Sequence, residues 1–171
     1  MTDNALPVVS LNRMEVQAEY TIAAPPDRVW RALTEETQAW WGAPYKCCDD
    51  TVEISLELRG GGAMLEKGAD GTHVVWGIIS GFTPGSYLEL EGSCGMAWPS
   101  FGNWSYMLSD NGNGGTILKF RHSALGLFKP EQQQNYGRGW DDLLGERLRN
   151  WCENGTRLGL GHEPEWARQQ A

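Results

Sequence analysis

The chain has 171 residues, 40% of them hydrophobic, and a formal net charge of −8 at pH 7. A chain of this length can bury an adequate core without disulfides or metal, so we expect one domain over residues 1–171 with its core at about residues 14–158. The acidic balance excludes the basic stripe that nucleic acid or an anionic membrane would require. No window is long and apolar enough to span a membrane and the start has no signal-peptide pattern, which predicts a cytoplasmic protein.

The first elements predicted along the chain are a strand and two short helices. Apolar residues alternate over residues 16–22, as in a strand with one buried face, after a loose lead-in at residues 1–13. Two prolines stop this strand and open a helical stretch. Thr34 is expected to cap a second short helix, which ends at residues 40–42.

Six further strands are predicted, and they form a meander. They cover residues 51–58, 63–66, 73–82, 87–91, 103–109 and 116–123. The glycine-rich segments RGGG at residues 59–62 and DNGNGG at residues 110–115 favour tight hairpins. The strand at residues 73–82 is apolar on both faces, which predicts a central position in the sheet.

Residues 133–155 have the pattern of one long amphipathic helix. At 100° per residue, one apolar arc carries Tyr136, Trp140, Leu143, Leu144, Leu148 and Trp151. A face this wide needs a large partner, most simply an open sheet. Gly155 is expected to end the helix in a left-handed cap, and Pro130 is expected in its first turn. Residues 156–171 form a polar tail with no predicted structure.

Five segments of the chain follow one another in an order typical of a known superfamily. They are APPDRVWRALTEETQAWWG, RGGG, VVWGIISGFTPGSYLEL, GGTILKFRHSALG and, in the last helix, YGRGWDDLL. Over roughly residues 16–155 they resemble the START-like, or SRPBCC, superfamily, and within it the branch related to the C-terminal domain of the activator of the heat-shock chaperone ATPase. The resemblance implies an α+β helix-grip (Bet v-type) fold. In that fold a curved antiparallel sheet of about six or seven strands wraps one long C-terminal helix and leaves a cavity between them.

Alternation along the last two strands predicts that six side chains face that helix: Trp104, Tyr106, Leu108, Leu118, Phe120 and His122. Trp76, a tryptophan at position 40 or 41 and residues of the helix itself would complete an aromatic wall. The predicted wall of the cavity consists of Trp40, Trp41, Trp76, Trp104, Tyr106, Phe120, His122, Tyr136, Trp140 and Leu144. The alternative is that these side chains fill the core and contact no ligand.

Arg147 breaks the apolar arc, because it projects to the middle of it on a helical wheel. A buried guanidinium needs a carboxylate, a carbonyl or an anionic ligand. One hypothesis is that Arg147 binds a carboxylate or phosphate on an otherwise apolar ligand. The alternative is that it reaches the cavity rim or pairs with a glutamate such as Glu53 or Glu57.

His122 is the one candidate for acid-base chemistry, since alternation places it on the inner face near the end of a strand. The alternative is a structural histidine with its hydrogen bonds satisfied. The four cysteines, including the vicinal Cys47 and Cys48, are expected to be free thiols. Histidines are too scattered to predict a metal site, and nothing in the sequence indicates a cofactor.

The resemblance implies three alternative functions. The first is binding of a small hydrophobic or amphipathic ligand in the cavity. The second is a polyketide cyclase-like or hydrolase-like enzyme that uses the same cavity, with His122 or Arg147 stabilising charge. The third is interaction with a heat-shock chaperone, as the family name suggests. Members of the superfamily differ in function while sharing the fold, so the choice rests on the site.

Overall fold

The computed structural model describes residues 11–96, 99–129 and 132–162. Its strands are β1 Asn12–Ile22, β2 Thr51–Leu56, β3 Ala63–Gly68, β4 His73–Thr83, β5 Tyr87–Gly92, β6 Ser100–Asp110 and β7 Thr116–Gly126. They form one antiparallel sheet in the order β1-β7-β6-β5-β4-β3-β2. Two short helices, α1 Pro26–Thr34 and α2 Thr37–Trp40, connect β1 to β2.

The sheet is regular on one side and bulged on the other. Strands β1, β7 and β6 pair without interruption over their whole lengths. Register shifts between Thr51 and Glu53, Met64 and Leu65, and Ile79 and Gly81 interrupt the pairing of β2, β3, β4 and β5. Because each bulge bends its strand and increases the local twist, the sheet curves around its inner face.

The C-terminal helix lies on this inner face, in three consecutive parts. They are α3 Gln132–Trp140, a π-helical segment Asp141–Leu148, and α4 Arg149–Asn154. The ring of Trp140 packs 4.3 Å from that of Phe120 on β7, and the Tyr20 hydroxyl on β1 donates to Asp141 at 2.6 Å. The α+β helix-grip fold predicted from the sequence is confirmed.

The inner-face residues predicted from alternation are buried. Six of them, at successive inward positions of β6 and β7, are at most 5% exposed: Trp104, Tyr106, Leu108, Leu118, Phe120 and His122. The predicted left-handed cap at Gly155 is also confirmed, with φ 70°, and its N–H donates to the Trp151 carbonyl at 3.1 Å. Pro130 lies outside the described residues.

Some local predictions are wrong. The first strand begins at Asn12, within the segment expected to be a loose lead-in. The hydroxyl of Thr34 donates back to the Trp30 carbonyl at 2.9 Å and does not cap α2. The predicted central position of β4 is confirmed, since it pairs with both β3 and β5, although its outer face is open to solvent and Val75 there is 49% exposed.

The polar tail is structured as far as it is described, because residues 156–162 fold back onto α2. The Leu160 N–H donates to the Gln38 carbonyl at 2.9 Å. Gly159 and Gly42 meet backbone to backbone, and a Cβ added to Gly42 would lie 2.4 Å from the Gly159 carbonyl carbon. A sequence pattern cannot show this contact, since it joins two loops more than a hundred residues apart.

Every helix in the described part of the chain is too short or too polar to cross a lipid bilayer.

Candidate functional site

A cavity of about 260 Å³ lies at one end of the inner sheet face, where the C-terminal helix, the start of β4 and two loops meet. Four of the predicted wall residues line it: Trp41, Trp76, Tyr136 and Trp140. The remaining lining residues are Pro44, Tyr45, Lys46, Cys94, Gly95, Asn135, Gly139 and Leu143. Five of these twelve residues are aromatic, so the wall suits an apolar or aromatic molecule.

The three indoles of the wall pack edge to face. The Trp41 ring lies 5.2 Å from that of Trp76 and 5.6 Å from that of Trp140, with interplanar angles of 75° and 82°. Such T-shaped pairs are favourable because the positive edge of one ring meets the negative face of the next. The arrangement fixes the shape of the wall.

Each of these indole N–H groups already has a partner within the protein. Trp41 donates to the Tyr45 carbonyl at 2.8 Å, Trp76 to the carboxylate of Glu66 at 2.9 Å, and Trp140 to Nδ1 of His122 at 3.0 Å. The indoles therefore offer a ligand carbon surface and no free donor.

Glu66 is a fully buried acid behind this wall, and no pattern in the sequence indicated it. Its carboxylate accepts hydrogen bonds from the backbone N–H groups of Cys47 and Cys48, the Thr51 hydroxyl and the Trp76 indole, at 2.6 to 3.0 Å. Burial raises the pKa of Glu66, but these hydrogen bonds outweigh it and hold the pKa below its ordinary value. An ionised Glu66 thus ties the loop at residues 47–51 to Trp76.

The turn after β5 presses directly against Trp76. A Cβ added to Gly95 would lie 2.3 Å from the Trp76 ring, and the φ of Gly95 is +68°. Both the close approach and the left-handed backbone require glycine there. The neighbouring Cys94 donates its N–H to the Trp76 carbonyl at 2.9 Å, and burial raises the pKa of its thiol.

The other predicted site residues lie outside the cavity lining. Trp104, Phe120, His122 and Leu144 form the packed core behind it. Trp40 and Tyr106 border a void of only about 10 Å³ deeper in the core. The space between sheet and helix is therefore filled over most of its length, and the cavity is confined to one end.

His122 is neutral at physiological pH. Its Nδ1 accepts the Trp140 indole N–H, and burial lowers its pKa to about 4. The imidazole proton therefore resides on Nε2, which has no hydrogen-bond partner among the described residues. His122 acts on the cavity wall through Trp140.

Arg147 is 2% exposed and makes an ion pair with Asp142, at 2.9 Å. The alternative that Arg147 pairs with Glu53 or Glu57 is wrong, since Glu53 pairs with Lys67 and Glu57 with Arg59. The guanidinium also donates to two backbone carbonyls. Its hydrogen-bonding needs are thus largely met within the protein.

The missed lining residues belong mainly to loops. Pro44, Tyr45 and Lys46 follow α2 without a regular pattern, and Cys94 and Gly95 lie in a glycine-rich segment. Leu143 alone gave a signal, as a member of the predicted apolar arc.

Two larger depressions elsewhere are less suitable as ligand sites. One, of about 510 Å³, is a groove on the outer sheet face beside Phe101 and Leu125. The other, of about 450 Å³, lies beside Asp49 and Asp50 and is mainly polar. Within the described ranges, no three His, Cys, Asp or Glu side chains are grouped to hold a metal ion, and all four cysteines are free.

Solved structures with the same fold share little sequence with this chain. A conserved protein of unknown function from Enterococcus faecalis is 18% identical, with a TM-score of 0.61 over 92% of this chain and 82% of its own. CalU16 from Micromonospora echinospora is also 18% identical, with a TM-score of 0.58 over 94% of this chain and 91% of its own. DynU16, from the dynemicin biosynthetic locus, gives the same identity and TM-score over 87% of this chain and 51% of its own, so this chain spans about half its length. None of the curated proteins matches the sequence.

The sequence itself identifies the family. The profile described as "Activator of Hsp90 ATPase homolog 1-like protein" matches residues 23–153, from the end of β1 through almost the whole C-terminal helix. That range includes both sides of the cavity. This chain belongs to the activator of Hsp90 ATPase homolog 1-like family, within the START-like (SRPBCC) superfamily.

Proposed function

We propose that the protein binds a small hydrophobic or amphipathic molecule in the cavity beneath Trp41, Trp76 and Trp140. The observation that carries this proposal is the aromatic-walled cavity of about 260 Å³ at the junction of sheet and helix. Protein interiors are close-packed, and a gap of this size lined by carbon surface favours an apolar occupant.

The volume limits the ligand to a small molecule. A cavity of about 150 Å³ holds a benzene ring, and drug-sized ligands occupy about 300 to 1,000 Å³. A volume of about 260 Å³ therefore fits one or two fused rings or a short acyl chain. A sterol or a long lipid would have to extend beyond the rim.

Polar groups at the rim favour a ligand with one polar end. Lys46 and Asn135 both line the cavity, and Asn135 is exposed. The Lys46 ammonium donates to the Asp49 carbonyl, and its two further donors have no partner among the described residues, so they could bind a ligand carboxylate or carbonyl. The ligand that suits this cavity is an aromatic or short-chain acid whose apolar part rests on the indoles.

The comparisons support a small-molecule role in general terms. DynU16 is a protein of a biosynthetic locus, which is a setting for small-molecule chemistry. At 18% identity the likeness shows the fold alone, so the proposal of ligand binding rests on the cavity.

Blocking the mouth of the cavity tests the proposal. We expect 2-naphthoate and octanoate to quench tryptophan fluorescence and to raise the melting temperature, because a ligand that binds only the folded state stabilises it. Asn135→Trp should abolish both effects by filling the rim, whereas Gln134→Trp, at the adjacent exposed position outside the lining, should leave them intact. The proposal fails if neither probe binds, or if Asn135→Trp binds as tightly as wild type.

Family membership favours a second candidate, interaction with a heat-shock chaperone. It predicts that the protein co-purifies with the Hsp90 of its host and changes its ATPase rate. Unchanged ATPase activity in the presence of excess protein would contradict it.

A further inference from the structure

The ion pair between Asp142 and Arg147 depends on the π-helical form of its segment. In an α-helix, residues five apart point about 140° away from each other, so their side chains do not meet. A π-helix is wound with i→i+5 hydrogen bonds, which brings the two positions to one face. Both Nε and Nη2 of Arg147 reach one carboxylate oxygen of Asp142, at 3.0 and 2.9 Å.

The same guanidinium binds two segments that are remote from it in sequence. Its Nη1 donates to the Ala43 carbonyl at 2.9 Å and to the Leu158 carbonyl at 3.0 Å. Ala43 precedes the lining residues of the loop after α2, and Leu158 belongs to the segment that folds back onto α2. Arg147 thus joins three parts of the chain at one point.

Tyr45 extends this junction to the cavity wall. Its ring is close to the guanidinium of Arg147, whose Cζ lies 5.2 Å from the ring centroid, and to Gly139, where an added Cβ would approach the ring to 3.2 Å. Its carbonyl accepts the Trp41 indole N–H at 2.8 Å. Both the backbone and the side chain of Tyr45 are therefore fixed beside the cavity.

We propose that Asp142 and Arg147 are positioning residues that hold residues 43–46 as the outer wall of the cavity and thereby set its affinity for ligand. This inference rests on the proposed ligand-binding function. It assigns Arg147 to the wall, whereas ligand binding was one of the two alternatives that the sequence left open for this residue.

Arg147→Lys is the sharpest variant for testing this role. Lysine keeps the positive charge for Asp142, but it lacks the planar fork that reaches two carbonyls and a carboxylate at once, and it stacks less well on Tyr45. Tyr20→Phe is the matched control. It removes a hydrogen bond to Asp141, the neighbouring residue of the same segment, on the side that faces β1.

Hydrogen exchange in the ligand-free protein tests the positioning role directly. We expect the backbone amides of Tyr45 and Lys46, which donate to the Gly42 and Pro44 carbonyls, to exchange about tenfold faster in Arg147→Lys, since about one charge-assisted hydrogen bond is lost. Exchange in β6 and β7 should stay unchanged, and Tyr20→Phe should leave these two amides as in wild type. Unchanged exchange of both amides in Arg147→Lys overturns the inference.

Titration with 2-naphthoate tests the consequence for affinity. Arg147→Lys should weaken binding about tenfold, and Tyr20→Phe should bind like wild type. Equal affinity of Arg147→Lys and wild type also overturns the inference. Wild-type protein that binds no probe contradicts the proposed function, and the exchange measurement then still decides whether the pair holds the wall.

Discussion

His122 shows how one buried side chain can make stability depend on pH. The pKa of His122 in the folded protein is about 4, because burial disfavours the imidazolium, and its ordinary value is 6.5. Below pH 6.5 the unfolded chain takes up a proton on this residue that the folded chain does not. The stability contributed by neutral His122 is therefore complete above pH 6.5 and is lost as the pH falls toward 4.

We predict that the free energy of unfolding falls by about 3 kcal/mol from this residue alone between pH 6.5 and pH 4. His122→Gln keeps an acceptor for the Trp140 indole and has no proton to gain, so its pH profile should be flatter by that amount. Urea unfolding at pH 7, 5.5 and 4.5 measures the difference. Parallel profiles for the two proteins would show that His122 is accessible to protons when folded.

Residue by residue, the sequence predicts burial better than it predicts bonding. Alternation along β6 and β7 correctly placed Trp104 and Phe120 on the inner face, because side-chain direction in a strand is a local property. Glu66 binds the backbone of a loop, and Arg147 binds the backbone of two remote segments, so no periodicity could indicate these contacts. Asp142 is close to Arg147 in sequence, but a helical wheel at 100° per residue places the two side chains apart. Only four of the eleven predicted site residues line the cavity, because loops without a regular pattern supply much of the rest of the lining.

Among the elements, the C-terminal helix departs furthest from its prediction. The wheel at 100° per residue assigned the buried arc correctly, including Trp140, Leu144 and Leu148. It could not predict the π-helical segment, since the wider turn depends on what packs against it. Two such contacts are Tyr20 against Gly145 and the junction around Arg147.

Two glycines of this helix should respond in opposite ways to alanine. Gly137 has no atom within 4 Å of an added Cβ, so Gly137→Ala should stabilise the protein by about 1 kcal/mol through helix propensity. A Cβ at Gly145 would lie 3.0 Å from the Tyr20 ring, which its hydrogen bond to Asp141 holds in place. Gly145→Ala should therefore destabilise by about 1 kcal/mol. Thermal unfolding of the two variants tests this prediction. A higher melting temperature in both would show that the Tyr20 ring can move aside.

At the scale of the whole molecule, the contact between residues 156–162 and α2 joins the C-terminal part of the described chain to its N-terminal part. The order of strands and helices was predictable, because seven strand patterns and one long apolar arc leave few ways to cover a sheet. The closing contact was not, since backbone groups form it and they leave no pattern of side chains in the sequence. Gly42 and Gly159 allow the two backbones to touch.

We predict that Gly159→Ala weakens the whole fold. The added Cβ would lie 2.4 Å from the Gln38 carbonyl oxygen and 2.6 Å from the Trp40 nitrogen, so a backbone segment must move. The expected loss is about 2 kcal/mol, with faster amide exchange at Leu160. Gly60→Ala is the control, because nothing lies within 4 Å of its added Cβ. Equal stability of the two variants would mean that residues 156–162 contribute little to folding.

The edge-to-face contacts of Trp41 with Trp76 and Trp140 also give the protein an optical property. Indoles with ring centroids 5.2 and 5.6 Å apart are close enough for their electronic transitions to mix. The circular dichroism of the folded protein should therefore contain a coupled signal from this cluster, in addition to the backbone bands. A molecule that enters among these rings would alter that signal, so occupancy could be followed in unlabelled protein.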